Sequence, residues 1–170
     1  MEYAKSDARF FRAGVGTVIY NDAGEVAMFR RAKFPIGVWQ FQQGGIDIGE
    51  DTETTLWREL KEEIGLDKSA IERVHEMPSW TIHPSQSSLD DSTKTRIGQA
   101  HKWYFLKLKS GIQIDLSKAT DEEADAFRFN TFKEAIAECE PLKKPVYQEL
   151  ENYFKSKVIQ IRETALSHTL

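Results

Sequence analysis

One stretch constrains this chain more than any other. From Thr52 to Ile64 the residues repeat with helical period, and Leu56, Leu60 and Ile64 fall four apart on one face. Gly65 follows directly, where a residue tolerant of a left-handed backbone can end the helix. The same helix carries Glu59, Glu62 and Glu63. At about 100° per residue these three lie within an arc of roughly 100°. They are related as i, i+3 and i+4, so their side chains are neighbours. The aliphatic face must be buried, which leaves the carboxylates at the edge between core and solvent. Like charges at this spacing cost a few tenths of a kcal/mol per pair. A solvated acidic face relieved by Arg58 and Lys61 is the ordinary outcome of such a charge run. A hard divalent cation is the other way to offset the cost, and an all-oxygen ligand set favours magnesium or manganese over zinc.

The rest of the chain supplies a frame for this helix. Gly14 to Tyr20 reads as a strand, Asn21-Asp22-Ala23-Gly24 as a turn, and Glu25 to Arg30 as the returning strand of a hairpin. Trp39-Gln40-Phe41-Gln42 alternates like a short half-buried strand, and Gly44-Gly45 and Gly49 then break the pattern. Further strands are expected within Ile71 to Trp80, at Lys102 to Lys109 and at Ala126 to Phe129. Ser85 to Thr95 is polar without periodicity and reads as a long loop. Thr131 to Glu138 and Pro145 to about Gln160 read as helices, and the last ten residues are expected to fray. Strands and helices mix without a regular βαβ rhythm. That predicts an α/β protein with a mixed sheet and helices on its faces, not a doubly wound fold. The 170 residues fit one domain with its core at about 10–160.

Charge and composition exclude several classes. With 23 Lys and Arg against 27 Asp and Glu the net charge is −4, so the molecule as a whole does not attract nucleic acid. A polyanionic ligand must be met by local positive charge or by metal. The single cysteine, Cys139, makes no internal disulfide, and the N-terminus lacks the basic start and apolar run of a signal peptide. No apolar stretch approaches the roughly 20 residues that span a bilayer, so a cytoplasmic protein without a membrane partner is expected. His75, His83, His101 and His168 show no zinc spacing, and no Gly-rich phosphate loop ending in Lys-Ser or Lys-Thr is present.

Read from Gly44, the spacing is Gly44, five residues, Glu50, seven residues, then Arg58-Glu59-Leu60-x-Glu62-Glu63-x-Gly65-Leu66. This resembles the complete Nudix box, with every position met. At roughly 5–8% abundance per residue type, a chance match at one start point is on the order of 10⁻⁸ or less. The likeness extends to Phe11-Arg12-Ala13-Gly14-Val15-Gly16, to Trp39 through Ile46, to Ile97 through Tyr104, to Glu123-x-Asp125-x-Phe127-Arg128-Phe129 and to Lys143-Lys144-Pro145-Val146-Tyr147. These are similar to the branch of bacterial RNA pyrophosphohydrolases and dinucleoside polyphosphate hydrolases, over roughly residues 10 to 155.

The resemblance implies a Nudix-type α/β/α sandwich and a magnesium-dependent pyrophosphohydrolase, with manganese as a substitute. It implies Gly44, Glu59, Glu62, Glu63 and Glu123 as the metal site, and an Arg58–Glu50 pair that steadies the loop. Glu62, Glu63 and Glu123 would be the catalytic carboxylates, and either Glu63 or Glu123 would take the proton from the attacking water. Arg12, Arg31 and Lys143 would contact phosphate. Apart from the resemblance, the aromatic side chains of Trp39 and Phe34 are candidate faces for a base. The expected substrate is a (di)nucleoside polyphosphate or the 5′-triphosphate end of RNA, cut by a monomer or small homo-oligomer. A nucleotide sugar or an oxidised nucleoside triphosphate is the alternative. A non-catalytic binding module would show a broken glutamate set, and here the set is intact. Two departures stand out. His83 occupies the place of a tyrosine in the branch. Ser85 to Ser92 is polar to acidic where the branch is often rich in Lys and Arg, which favours a short nucleotide over a long phosphate backbone.

Overall fold

The first hairpin already dictates a layered architecture, because its apolar residues point both ways. The computed structural model describes residues 8–159. Among them the elements run β1 (Phe10–Tyr20), β2 (Val26–Arg31), β3 (Trp39–Gln40), β4 (Gln42–Gly45), α1 (Thr52–Ile64), β5 (Ile71–Pro84), α2 (Gln86–Asp90), β6 (Arg96–Leu108), β7 (Ala124–Asn130), α3 (Phe132–Glu138) and α4 (Lys144–Tyr153). In β1, Val15 and Ile19 join one buried cluster while Val18 and Tyr20 join another. Alternate residues of a strand face opposite sides, so both faces of this sheet require a cover.

Helix α1 covers the first face. Its Leu56, Leu60 and Ile64 share a cluster with Val15 and Ile19 and with Tyr104, Leu106 and Leu108 of β6. Each such leucine contributes about 1.5–3 kcal/mol by leaving water. Asp51 caps the helix start by accepting from the Thr54 N–H at 2.7 Å, and Gly65 ends it at φ 70°. Helices α3 and α4 cover the second face, with Phe132, Val146, Tyr147 and Leu150 against Val18, Trp103 and Phe105. α3 begins with a full capping box, Thr131 and Glu134. The result is the expected α/β/α sandwich around a mixed sheet. β1 and β6 run parallel, and the other pairings are antiparallel. No helix among the described residues is long and apolar enough to cross a membrane.

The sheet opens where the site will form. β1 and β2 pair at the hairpin base, where Tyr20 faces Val26. They then part: β1 takes β4 as its neighbour from Thr17 back to Gly14, while β2 takes β3 on one side and β7 on the other. The chain crosses between the two halves at Phe41. This residue is fully buried, stacked on Tyr147 at 4.4 Å, and its N–H donates to the Tyr147 hydroxyl at 2.8 Å.

Several boundaries differ from the sequence expectation. The single strand expected over Trp39–Gln42 is two strands, because its halves serve different partners. The loop expected from Ser85 to Thr95 contains α2, and β5 and β6 extend as a ladder to Pro84 opposite Gly98. The expected C-terminal helix is α4 continued by a π-helical turn over Phe154–Val158. Gln160 and the last ten residues lie outside the described residues.

Candidate active site

The opening between β1 and β2 is a cleft of about 310 Å³ lined mainly by polar and charged groups. β1 supplies Arg12 and Gly14, β2 supplies Arg31, and β4 supplies Gln42 to Gly45. α1 supplies Glu59 and Glu63, β6 supplies Gln99 and His101, and the segment before β7 supplies Asp121 and Glu123. That last segment is held by the end of α1. The N–H groups of Thr120 and Asp121 donate to the Glu62 carbonyl at 2.9 and 2.8 Å, satisfying a carbonyl of the last helical turn. The Ala32 N–H donates to the Glu123 carbonyl at 2.9 Å, so β2 and α1 grip the same few residues.

Arg58 organises the acidic side. Its Nε and Nη2 donate to the two Glu50 carboxylate oxygens at 2.7 and 2.8 Å, a two-pronged pair. Nη2 also reaches the Gly45 carbonyl at 3.0 Å, and Nη1 reaches Glu59 at 2.8 Å and Glu62 at 3.1 Å. The Arg58 hydrogen bonds, with one from Thr55, hold Glu50 at a pKa of about 2. The expected Arg58–Glu50 pair is thus present, and it ties the glycine loop to the helix.

The other glutamates differ in setting. Burial raises the Glu59 pKa, with Arg58 opposing the rise. Burial pushes Glu63 up to about 8, against a hydrogen bond from Gln42 at 3.1 Å, and the negative groups Glu59, Glu123 and Asp121 add to the rise. A carboxyl group so placed is short of a cation. Gly44 lies flat against the Glu59 side chain: a Cβ there would stand 2.0 Å from the Glu59 Cδ. Gly44→Ala is therefore expected to displace Glu59 and cut turnover by on the order of 10²-fold or more, with little change in the circular dichroism spectrum.

By donor chemistry these residues fit an oxygen-ligated divalent cation: the Gly44 carbonyl, Glu59, Glu62, Glu63 and Glu123 are all hard oxygen ligands. Among the described residues no three acidic, His or Cys side chains converge as a closed cage. Glu59 and Glu62 turn to Arg58 instead, and Glu63 to Gln42. Each of these hydrogen bonds engages one oxygen of its carboxylate, which leaves the other oxygen as a ligand for a cation.

The basic side has an orphan donor. Arg31 Nε is buried without an acceptor, and its Nη2 lies 3.8 Å from Glu123. A buried N–H without a partner is costly, and an anionic oxygen in the cleft would satisfy it. Arg12 lies beside Gly45, where a Cβ would stand 2.1 Å from its Nη2.

Of the residues proposed from sequence, Arg12, Arg31, Gly44, Glu59, Glu63 and Glu123 line one cleft. Glu62, Lys143, Trp39 and Phe34 do not. Glu62 lies at its outer edge, bound to Arg58. Lys143 is buried behind the lining, donates to the Gln40 Oε1 at 2.8 Å, and is lowered by burial to about 8. Trp39 packs on the core with the Arg128 guanidinium 4.1 Å from its ring centroid. The sequence reading did not assign Gln42, Gln99, Asp121 or His101 to the site, although Gln42, Gln99 and His101 fall in segments that carry the resemblance. The β1–β6 and β1–β4 registers bring those three to the lining. His101 stacks on His83 at 5.7 Å, so the departure at His83 sits directly behind the lining. Burial keeps both rings neutral, His101 down to about 3 and His83 to about 4.

Comparison with known proteins agrees with this geometry. The NUDIX domain family model matches residues 10–150. An RNA pyrophosphohydrolase of Shewanella piezotolerans is 33% identical over 165 residues, covering 95% of this chain and 94% of that protein. One from Pseudoalteromonas translucida is 36% identical and covers 87% of each. Among solved structures, the E. coli dihydroneopterin triphosphate pyrophosphohydrolase superposes with a TM-score of 0.65 at 21% identity, over 83% of this chain and 97% of that one. A binary complex of the C. elegans Ap4A hydrolase gives 0.62 at 18% identity, over 84% and 98%. With the box running from β4 through α1, the family match across residues 10–150 and relatives a third identical over 87–95% of this chain, the chain belongs to the Nudix hydrolase family.

Proposed function

We propose that this protein is a magnesium-dependent pyrophosphohydrolase, cytoplasmic, that cuts a phosphoanhydride bond at the 5′-triphosphate end of RNA or in a (di)nucleoside polyphosphate. The observation that carries the reading is the pairing, within one cleft, of the buried acid Glu63 beside Glu59 and Glu123 with the orphan donor of Arg31. A polyphosphate is the ligand that needs both: arginines for its outer oxygens and a cation-holding carboxylate cluster for the bond to be cut. When bound, the divalent cation neutralises charge on the phosphoanhydride oxygens as the bond breaks. Gly44, Glu59, Glu62, Glu63 and Glu123 would hold it. Arg12 and Arg31 orient the phosphate chain through paired N–H donors. Glu63 or Glu123 takes the proton of the attacking water, and Arg58 keeps the helix and glycine loop in register while this happens.

The relatives named RNA pyrophosphohydrolase favour the RNA end. The acidic Asp90 and Asp91, on the connection between β5 and β6, favour a short nucleotide, because they repel a long phosphate backbone. Product analysis in magnesium with diadenosine tetraphosphate beside a 5′-triphosphorylated RNA decides between them. Turnover of either supports the proposal, and the preferred one names the substrate. Turnover of neither, with a nucleotide sugar or an oxidised nucleoside triphosphate cleaved instead, would contradict it.

A further inference from the structure

The cleft is rich in groups for phosphate and cation, yet among the described residues that line it none offers a free aromatic face. Phe29 and Phe41 touch it from the core and are 4% and 0% exposed. The ring of Trp39 is covered by Arg128. A base that stacks on an aromatic ring must therefore find that ring beyond the edge of the cleft.

The loop of residues 32–37 stands at that edge and is fixed to it. The Gly37 N–H donates to the Arg31 carbonyl and the Arg31 N–H to the Val38 carbonyl, both at 2.9 Å, which closes the loop at its stem. Ala32 bonds the backbone of Glu123, and Lys33 bonds the carboxylates of Asp121 at 2.7 Å and Glu123 at 3.3 Å. The residues that line the cleft are thus the residues that anchor the loop. From this stem Phe34 and Ile36 project into solvent, 88% and 77% exposed. Single exposed apolar residues are ordinary. Two in one short loop, pinned by polar bonds to a phosphate-seeking arginine and a site glutamate, form a small apolar surface where the nucleoside end of a bound polyphosphate would emerge.

We propose that Phe34, with Ile36 beside it in the chain, is the platform on which the substrate's nucleobase stacks. The inference rests on the pyrophosphohydrolase reading and adds to it the determinant that separates a nucleotide from a bare polyphosphate. A π face accepts any base, so the platform gives affinity for nucleotides with weak base preference. Phe10 is another exposed aromatic residue, two positions from Arg12. Its N–H bonds the Thr95 carbonyl instead of the site, and it serves as the control.

Calorimetry in magnesium with two probes, diadenosine tetraphosphate and inorganic tripolyphosphate, tests this on the full chain. Phe34→Ala should weaken the dinucleotide about 10-fold and leave tripolyphosphate unchanged, and Phe34→Trp should restore the wild-type ratio. Equal weakening of both probes, no change for the dinucleotide, or a selective loss in Phe10→Ala alone would overturn the platform. Turnover is followed in the same samples. A wild-type protein that binds nucleotide yet cleaves no anhydride rejects the pyrophosphohydrolase reading, while the ratio of the two affinities still judges Phe34.

Discussion

Glu63→Gln is expected to reduce turnover by at least about 10²–10⁴-fold while raising the melting temperature of the metal-free protein near pH 7. The two effects have one cause. Glu63 is buried beside Glu59, Glu123 and Asp121, and its pKa in the folded state rises from 4.5 to about 8. Below pH 4.5 the folded and unfolded chains both hold the proton, so this residue costs nothing. Between 4.5 and 8 the unfolded chain releases the proton and the folded chain keeps it, so stability falls as the pH rises through that window. Glutamine has no proton to release and keeps the shape. In chelator the variant should therefore melt higher than wild type at pH 7 and match it near pH 4. Near-wild-type rates in Glu63→Gln would count heavily against the assigned role. An equal or lower melting temperature at pH 7 would show that Glu63 is not held in the cation-poor setting described.

Arg58→Ala carries the second large effect. This one side chain holds both oxygens of Glu50, one oxygen each of Glu59 and Glu62, and the Gly45 carbonyl. Its loss leaves Glu59, Glu62 and a loop carbonyl without this donor and Glu50 with only Thr55 and the Asp47 N–H, and brings like charges at i, i+3 spacing into opposition. Turnover should fall by on the order of 10²-fold or more, because misplacing ligands by about 1 Å costs that much. The melting temperature should fall in chelator, and saturating magnesium should restore more of it in the variant than it adds to wild type. Cations can then take over charges that Arg58 no longer balances. If magnesium stabilised the two proteins equally, Arg58 and the cation would not share those carboxylates.

The legibility of the fold followed the range of the signals. α1 was readable to the residue because its periodicity, Gly65 and the glutamates are contiguous. The hairpin turn at Asn21–Gly24 was equally local. The strand over Trp39–Gln42 misled because alternation reports which way side chains point and not which strand is adjacent. Only the separation of β1 from β2 divides it at Phe41. β5 and β6 ran past their apolar stretches because backbone pairing carries them to Pro84 and Gly98, where the exposed Ile82 and the tight Gly98 give no periodic signal.

The site divides the same way. The helix glutamates and Gly44 were visible as a motif, whereas Gln42, Gln99 and His101 enter through long-range register. Trp39 and Lys143 are adjacent to the site in sequence pattern but displaced from its lining by burial, the first under Arg128 and the second behind Gln40. Phe34 was named beside Trp39 as a face for a base, and the sequence had no means to choose between them. Its exposure and its anchored stem are properties of the fold.

The whole account depends on the acidic end of α1 capturing divalent cations. Manganese bound to the full chain, followed by electron paramagnetic resonance with a non-hydrolysable nucleotide present, measures that capture directly. The expected result is bound manganese that magnesium displaces and that a Glu59→Gln, Glu62→Gln, Glu63→Gln triple variant loses while remaining folded. Manganese that stays free in wild type, or binds as well to the triple variant, would contradict it.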